Sequence, residues 1–479
     1  MLARKALVLL LVLKLSACGV VVRTIDSGIT SFAHSGLFHQ GQHGELTEKE
    51  QVWAKIAWTY FKNNSHVETG LANSIDGYPS ATMSSIADYL AALVAARQLA
   101  LIDKKEFDHR LSALLHFLNR MPLFRGRLPN KIYDTKNGKM LDYEGKNQEI
   151  GWSAIDIGRL LIWLRIVSQQ YPEFHEYIDK AIFRWNFCDV IDQEGSLYTG
   201  SLVNNQISLR QEGRLGYEEY AAMGFRAWGF EPTKAESLDP LEVITIYGQD
   251  IYHDARDHRD DKVLSPILTL PFSYMGIEFN WDRVDDDRSL NSRHTNSLLY
   301  QAAKQVYQVQ ELRYVHEKIY TARTEHILDS APYFLYDSVF ANGYAWNTIS
   351  DTGKTYPGKS LVSVKAAFSM HMLWDTDYTY KLMLVIEELY DAKRGWYEGR
   401  YESTGGYEEA ISSSTNATVL EALLYKKVGK LFRPNREVTH SDIRMENVFK
   451  HPGKCFPALY RKKAQLTAKR LKSKGNSLN

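Results

Sequence analysis

Two similar loop-and-helix segments lie near the two ends of the chain, Gly70–Ser85 and Gly399–Ser414. Each is a loop rich in glycine and tyrosine that runs directly into an amphipathic helical pattern. Without gaps the segments share seven of sixteen residues, including a Gly-Tyr pair at positions 77–78 and 406–407. Similar units at both ends predict a closed ring of helical hairpins, in which the first and last hairpins are neighbours. Their loops would open into one cleft, and loops on a rigid scaffold are where functional residues concentrate.

The residues between the two segments have mostly helical periodicity. The first helix begins with a capping box at Thr47 and Glu50 and turns Trp53 toward the interior. Further helical patterns cover residues 86–94, 103–118, 157–164, 174–185, 216–228, 291–308, 312–325, 361–373, 377–390 and 415–427. We therefore predict a mainly α chain, an (α/α)6 toroid of helical hairpins. A small β insertion near 240–280 is predicted from the strand-like runs Leu241–Tyr247 and Leu264–Leu270.

The first eighteen residues have the features of an export signal. Arg4 and Lys5 precede an apolar run, and small residues lead to Cys18, so the segment resembles the lipoprotein box of bacteria, in which the cysteine carries the lipid. The alternative is an ordinary signal peptide or an uncleaved anchor, because Lys14 interrupts the apolar run. Residues 19–44 are predicted to be a tether, residues 45–432 the toroid domain, and residues 433–479 a basic tail. The residue after Cys18 is Gly19, not the aspartate that is associated in enteric bacteria with retention in the inner membrane. We therefore expect a lipoprotein of the cell envelope that is anchored in the outer membrane and faces the periplasm.

The charge of the chain is unevenly distributed. The whole chain has a net charge of +1, the tail contributes +9 and the first 17 residues +3, which leaves −11 for residues 18–432. An acidic body argues against nucleic acid as a partner, since nucleic-acid binding needs a basic surface. The tail is either a solvated segment or a contact for anionic lipid or cell-surface polymer. With Cys18 lipidated, only Cys188 and Cys455 remain, so a disulfide framework cannot hold the fold together.

Four predicted loops combine carboxylates, glycines and aromatic residues. Hydrolysis of a glycosidic bond needs one carboxylic acid to protonate the leaving oxygen and a second carboxylate to activate water or attack carbon. The candidate catalytic residues are Glu149, Asp156 and Glu218. Candidate substrate-binding residues are Asp76, Tyr78, Trp152, Arg214, Tyr217, Trp396, Glu398, Arg400 and Tyr401.

Each candidate also has a purely structural interpretation. Carboxylates near a helix start are often caps, arginines often pair with nearby glutamates, and Trp152 or Trp396 could be buried. Glu219, next to Glu218, is expected to be a solvated helix residue. No cofactor is predicted, because phosphate-loop, nucleophile-elbow and dinucleotide motifs are missing from the sequence. No metal site is predicted either: the stretch His253–Asp261 has arginines as internal countercharges, and Asp285–Asp287 is interpreted as a helix-terminal cluster.

Four motifs resemble a bacterial family catalogued as domain of unknown function 3131: Gly77–Pro79, Glu149–Arg159, Arg214–Ala222 and Gly395–Tyr401. The resemblance covers roughly residues 50–430. It implies kinship in fold with glucoamylase-like (α/α)6 proteins that act on bacterial β-glucans or exopolysaccharides. One position departs from the family pattern, because many relatives have a Trp-Asp pair where this chain has Ser84–Ser85.

The leading hypothesis is a lipid-anchored glycoside hydrolase that acts on an oligosaccharide or polysaccharide and contacts the membrane through its N-terminal lipid. The first alternative is a non-catalytic carbohydrate-binding or polysaccharide-export lipoprotein, which the Ser84–Ser85 departure favours. The second is a polysaccharide lyase, which would use a tyrosine or histidine base and a residue that neutralises a uronate.

Overall fold

The structure is a computed structural model that describes residues 41–212, 215–239, 241–256, 263–284 and 294–433. Several predicted features lie wholly or partly outside these residues: the export signal with Cys18, the tether, Arg214, part of His253–Asp261, Asp285–Asp287, the start of the helical pattern at 291–308 and the basic tail. Within the described part of the chain, no helix combines the length and the apolar character that crossing a bilayer requires.

The prediction of a mainly helical chain is confirmed, since the described residues contain eleven α-helices. These are α1 (Glu48–Asn64), α2 (Met83–Gln98), α3 (Lys104–Arg120), α4 (Ala154–Gln170), α5 (His175–Ile182), α6 (Tyr217–Ala227), α7 (Thr269–Phe279), α8 (Ser297–Glu317), α9 (Val364–Trp374), α10 (Asp377–Ile386) and α11 (Ser413–Val428). The two patterns at 291–308 and 312–325 correspond to one helix, α8, so their prediction as separate helices is wrong.

Six of the helices form a closed ring. Helices α2, α4, α6, α7, α9 and α11 pack in that order, and α11 packs against α2. Helices α1, α3, α5, α8 and α10 pack on their outside. The sequence explains this division: α4 buries thirteen of its seventeen residues, whereas α3 buries six of seventeen along one face. A helix that is apolar all round must be enclosed by others, and an amphipathic helix covers it.

The two similar segments meet in the ring, as predicted. The backbone N–H of Asp76 donates to the carbonyl of Ile411 at 3.0 Å, and the N–H of Ser413 donates to the carbonyl of Ser74 at 2.9 Å. The first segment leads into α2 and the second into α11, so these hydrogen bonds join the first and last inner helices. The internal similarity therefore predicts how the ring closes.

Short strands lie in the connections between helices. They are β1 (Ser80–Thr82), β2 (Leu123–Phe124), β3 (Leu128–Pro129), β4 (Ile132–Asp134), β5 (Met140–Leu141), β6 (Gly151–Trp152), β7 (Tyr198–Val203), β8 (Gln206–Gln211), β9 (Leu241–Ile246), β10 (Gln249–Asp254), β11 (Glu325–Ile327), β12 (Phe334–Asp337), β13 (Phe340–Ala341), β14 (Tyr344–Ala345), β15 (Thr348–Ile349), β16 (Leu361–Ser363), β17 (Tyr390–Asp391), β18 (Gly395–Tyr401) and β19 (Tyr407–Ile411). Strands β1, β6, β16 and β19 end directly before α2, α4, α9 and α11. These strands fix how the chain enters four of the six inner helices.

The connection between α6 and α7 contains a β-hairpin. Strands β9 and β10 pair in antiparallel fashion over their full lengths. The second predicted strand, Leu264–Leu270, is wrong, because residues 263–268 lie in no named strand and α7 begins at Thr269. Its apolar residues are buried at the start of α7, and Pro271 is tolerated there because a first-turn N–H needs no partner within the helix.

Candidate functional site

The first turns of several inner helices meet at one end of the ring, which we call the N-terminal face. Lys365 in α9 lies with its Nζ 3.4 Å from Ser414 Oγ in α11. Ser413 in α11 donates its hydroxyl to Asp88 Oδ2 in α2 at 3.0 Å. The backbone N–H of Ala154, the first residue of α4, donates to Thr199 Oγ1 at 3.0 Å. The N-terminal face therefore brings together polar side chains from segments far apart in the sequence.

Helices α4 and α6 approach each other unusually closely. A Cβ atom added to Gly158 in α4 would lie 2.5 Å from Ala221 Cβ, and one added to Gly224 in α6 would lie 2.1 Å from the Gly158 carbonyl oxygen. Only glycine fits at such distances. Asp156 and Glu218 precede these contacts by two and three residues, so two of the predicted catalytic carboxylates belong to the adjacent first turns of α4 and α6.

Glu218 has the electrostatics of a proton donor. It is 6% exposed, and its Oε1 has no hydrogen-bond partner among the described residues. Burial raises the pKa of Glu218 to about 9, and the negative charges of Glu219 and Glu212 add to the shift. A carboxyl group with this pKa is protonated at neutral pH, which is the state that a general acid requires.

Glu219 differs from the expectation of a solvated residue. It is 4% exposed, and its Oε2 accepts a 2.6 Å hydrogen bond from the N–H of Gly216. Gly216 has φ +96°, a conformation that suits glycine and lets the glutamate fold back over the start of α6. Burial raises the pKa of Glu219 to about 8. Glu219 therefore caps the start of α6. Of the two glutamates, Glu218 is the one with a carboxyl oxygen, Oε1, that has no hydrogen-bond partner among the described residues.

The other two catalytic candidates differ in their surroundings. Asp156 is half-buried in the first turn of α4, where the helix dipole favours a negative charge, and Ser153 caps this helix by accepting from the Asp156 N–H at 3.2 Å. Glu149 lies before β6, with its Oε2 3.6 Å from Arg125 Nε. Asp156 is therefore the candidate on the helix next to Glu218, whereas Glu149 belongs to an ion pair away from the first turn.

Glu398 belongs to a buried cluster at the start of α11. It accepts hydrogen bonds from the hydroxyls of Ser412 and Thr415, the latter at 2.7 Å, and its Oε2 lies 3.7 Å from Lys365 Nζ. Glu325 Oε1 lies 3.6 Å from the same Nζ. Sequence reasoning missed both Lys365 and Glu325. The available signal for Lys365 was a single charge in the otherwise uncharged run from Leu361 to Met370.

The structure corrects the prediction that Trp152 and Trp396 are sugar platforms. Trp152 is 1% exposed, and its indole N–H donates to the Tyr198 carbonyl at 2.9 Å. Trp396 is fully buried, and its N–H donates to the Trp53 carbonyl at 3.2 Å. Both rings therefore belong to the core. Tyr217 is half-buried at the start of α6, so it keeps part of its ring accessible beside Glu218.

The remaining predicted binding residues lie in the loop before α2 and in strand β18, which precedes α11 in the chain. Asp76 pairs with Arg394 at 2.8 Å, which makes it a structural contact between the two loops. Tyr78 is 43% exposed, and Arg400 is exposed with its Nε donating to the Gly405 carbonyl at 2.8 Å. The hydroxyl of Tyr401 donates to Glu408, and burial raises the pKa of this tyrosine.

A buried ionic hub lies in the interior of the ring. Arg159 in α4 contacts Asp88 in α2 at 2.9 Å, Glu278 in α7 at 3.1 Å and Glu421 in α11 at 2.7 Å. Burial raises the pKa of all three carboxyl groups, while the Arg159 charge opposes the shift. Asp88 is 2% exposed, so its carboxyl group belongs to the hub. The hub connects four inner helices.

In the part of the chain that the structure describes, no group of three His, Cys, Asp or Glu side chains could hold a metal ion. In the described part of the His253–Asp261 stretch, Asp254 pairs with Arg256 at 2.6 Å and accepts from Ser265 Oγ at 3.0 Å. This aspartate is therefore neutralised by a neighbouring arginine, as the sequence suggests.

Comparison with known proteins gives a family and a fold. The model of the family described as protein of unknown function (DUF3131) matches residues 52–429. A search of curated proteins found no match.

Three solved structures share the fold at low sequence identity. An endo-β-1,2-glucanase from Chitinophaga pinensis, solved with sophorotriose and glucose, has a TM-score of 0.57 and 16% identity, and the match covers 81% of this chain and 94% of that one. A glucoamylase-like protein from Bacteroides uniformis has a TM-score of 0.60 and 12% identity, with 82% and 96% covered. A β-1,2-glucanase from Parabacteroides distasonis has a TM-score of 0.57 and 12% identity, with 88% and 60% covered.

Proposed function

Because this chain belongs to the DUF3131 family and shares its fold with β-1,2-glucanases, we propose that it is a glycoside hydrolase that cleaves a bacterial glucan or exopolysaccharide. The observation that carries the proposal is the buried Glu218 in the first turn of an inner helix, with no hydrogen-bond partner on Oε1 among the described residues, beside the first turn that holds Asp156. Within this proposal the fold is an (α/α)6 toroid with a small β insertion. The hairpin β9–β10 takes the place of the outer helix between α6 and α7.

The two carboxyl groups have complementary roles in the proposed reaction. Glu218 gives its proton to the glycosidic oxygen as the bond to the anomeric carbon breaks, and its burial keeps that proton in place at neutral pH. Asp156 acts as the second carboxylate, which either activates water or attacks the anomeric carbon. Two-carboxylate hydrolysis requires these two carboxyl groups to lie about 5–10 Å apart across one cleft. Tyr217 supplies an aromatic surface next to the reacting bond.

The experiment follows the release of new reducing ends from a panel of bacterial glucans that includes linear β-1,2-glucan. We expect the wild-type protein to shorten at least one polymer and Glu218→Gln to abolish this activity. Glu409→Gln is the matched control, because Glu409 is an exposed glutamate in β19. Cleavage at the wild-type rate by Glu218→Gln would exclude the assigned acid.

The Ser84–Ser85 departure supports a second candidate function, a non-catalytic carbohydrate-binding protein. Ser85 caps α2, since its Oγ accepts from the Thr82 N–H at 2.8 Å and its N–H donates to Thr82 Oγ1 at 3.1 Å. The position thus has a structural task that needs no carboxylate. Binding of glucan without any new reducing ends from the wild-type protein would favour this alternative.

We further propose that the protein is exported and anchored in the outer membrane by a lipid on Cys18. Two or more acyl chains give stable anchoring where one chain is marginal. Replacing Cys18 by serine should abolish palmitate labelling and change the membrane fraction. Unlabelled wild-type protein, or a variant that fractionates with membranes as before, would contradict the lipoprotein assignment.

A further inference from the structure

A side cleft of about 410 Å³ lies beside the N-terminal face, outside the carboxylate pair. It is lined by the hairpin β2–β3 on one side and the turn between β7 and β8 on the other. Its lining residues are Phe124, Arg125, Arg127, Leu128, Trp152, Asp189, Asn205, Gln206 and Ile207. We propose that the side cleft is a distal subsite for a neutral linear glucan whose reacting bond lies between Asp156 and Glu218, an inference that rests on the proposed function.

The position of the side cleft follows from the chain path. Trp152 at its floor is followed directly by Ser153, the N-cap of α4, so the cleft begins next to the first turn that carries Asp156. Trp152 in β6 is the strand partner of Gly200 in β7, and Asn205, in the turn that follows β7, lies about five residues further along the chain. At roughly 3.3 Å per strand residue, the cleft extends about 15 Å from the first turn of α4.

The floor of the cleft is rigid and apolar. The ring of Trp152 lies directly against Gly200, where a Cβ atom would come within 2.4 Å of the indole. Phe124 packs at the other side of this ring, with 5.7 Å between centroids. Trp152 and Phe124 are each 1% exposed, so they support the floor from beneath; the apolar surface that the C–H groups of a sugar ring can reach is Ile207, which is 47% exposed.

The walls of the cleft carry planar hydrogen-bonding groups with balanced charge. Arg125 donates to Asn205 Oδ1 at 2.7 Å and lies 3.6 Å from Glu149, and Arg127 pairs with Asp189 at 2.8 Å. Each arginine thus has one carboxylate partner, so the cleft has little net charge. Donors and acceptors without excess charge suit the hydroxyl groups of a neutral glucan better than an anionic polymer, which would require unpaired cations.

The turn that presents Asn205 is conformationally defined. Asn204 and Asn205 have φ values of +49° and +62°, which is the left-handed pair that a two-residue hairpin turn needs and that asparagine tolerates. Their side chains are therefore held at a fixed height above the floor, as a binding group should be. Arg125 itself is 43% exposed, so its guanidinium has donors left for a ligand.

The test measures binding of sophorotriose and of linear β-1,2-glucan to the Glu218→Gln background, which removes turnover. Adding Arg125→Ala should weaken binding of the polymer about tenfold and leave sophorotriose binding unchanged, since a charged hydrogen bond is worth about that factor. Asn205→Ala should produce a smaller change in the same direction. Arg283→Ala is the matched control, because Arg283 is exposed just beyond the C-terminal end of α7. Thermal melting verifies that each variant is folded.

The outcomes separate this inference from the proposed function. If Arg125→Ala weakens polymer binding but the wild-type protein releases no reducing ends, the subsite is supported and hydrolysis is overturned. Wild-type hydrolysis with polymer affinity unaffected by Arg125→Ala would overturn the subsite and leave hydrolysis intact. Equal losses for sophorotriose and polymer, or no binding of either by the parent background, would also overturn the subsite.

Discussion

Replacing Glu218 by glutamine should abolish catalysis and, at the same time, stabilise the folded protein at alkaline pH. The pKa of Glu218 is about 9 in the folded state and 4.5 as its ordinary value, so the folded state holds a proton that the unfolded state has lost between these pH values. The contribution of this group to stability is fully present below pH 4.5 and falls as pH rises toward 9, by about 1.4 kcal/mol per pH unit. From pH 5 to pH 8 the loss amounts to about 4 kcal/mol.

Glutamine keeps the shape of the carboxylic acid but cannot ionise. The free energy of unfolding of Glu218→Gln relative to wild type should therefore rise by up to about 4 kcal/mol between pH 5 and pH 8. Glu219, with a pKa of about 8, titrates in both proteins, so its own contribution largely cancels in the difference; what remains is its charge acting on Glu218, which is part of the Glu218 shift. The assay is urea unfolding followed by tryptophan fluorescence at both pH values, with Glu409→Gln as the control. A stability difference that is the same at pH 5 and pH 8 would refute the assigned protonation state.

Three further changes test the site and the ring. Asp156→Asn should lower kcat by roughly 10²- to 10⁴-fold while the protein remains folded in a thermal melt, and near-normal kcat would remove Asp156 from the mechanism. Gly158→Ala should cost about 1–3 kcal/mol in urea unfolding, because its Cβ would meet Ala221 Cβ at 2.5 Å; no loss of stability would contradict the close packing of α4 and α6. Arg159→Met should lower the free energy of unfolding by about 3–5 kcal/mol in the same assay, because it leaves the buried carboxyl groups of the hub without their cation. Arg283→Met is the control and should have little effect. Equal losses for the two variants would contradict the hub.

The sequence predicts the ring and its closure because both are local or repeated signals. Apolar periodicity distinguishes α4 from α3, and the similarity of the two terminal segments predicts that α2 and α11 are neighbours. Strand Leu264–Leu270 was mispredicted because a short apolar run does not distinguish a buried strand from the buried start of a helix. The start of α7 is decided by tertiary contacts, such as the N–H of Thr269 donating to the Arg323 carbonyl.

The site is only partly predictable. Glu218 and Asp156 are predicted as catalytic candidates because each lies in the first turn of a helix after a glycine-containing loop, whereas the burial of Trp152 depends on Gly200, which lies 48 residues away in the sequence. Glu219 was expected to be a solvated helix residue, and its burial follows from the fold-back at Gly216. Lys365 and Glu325 were missed because their pairing joins segments that carry no common motif.

The most direct test of the central claim is the pH dependence of kcat/KM, measured on the glucan that the wild-type protein cleaves fastest. For the free enzyme this profile reports the pKa of the essential acid. We expect activity to persist through neutral pH and to fall with an apparent pKa near 9, as Glu218 loses its proton. An activity that already falls near pH 4.5, the ordinary range of a glutamate, would contradict Glu218 as the buried general acid.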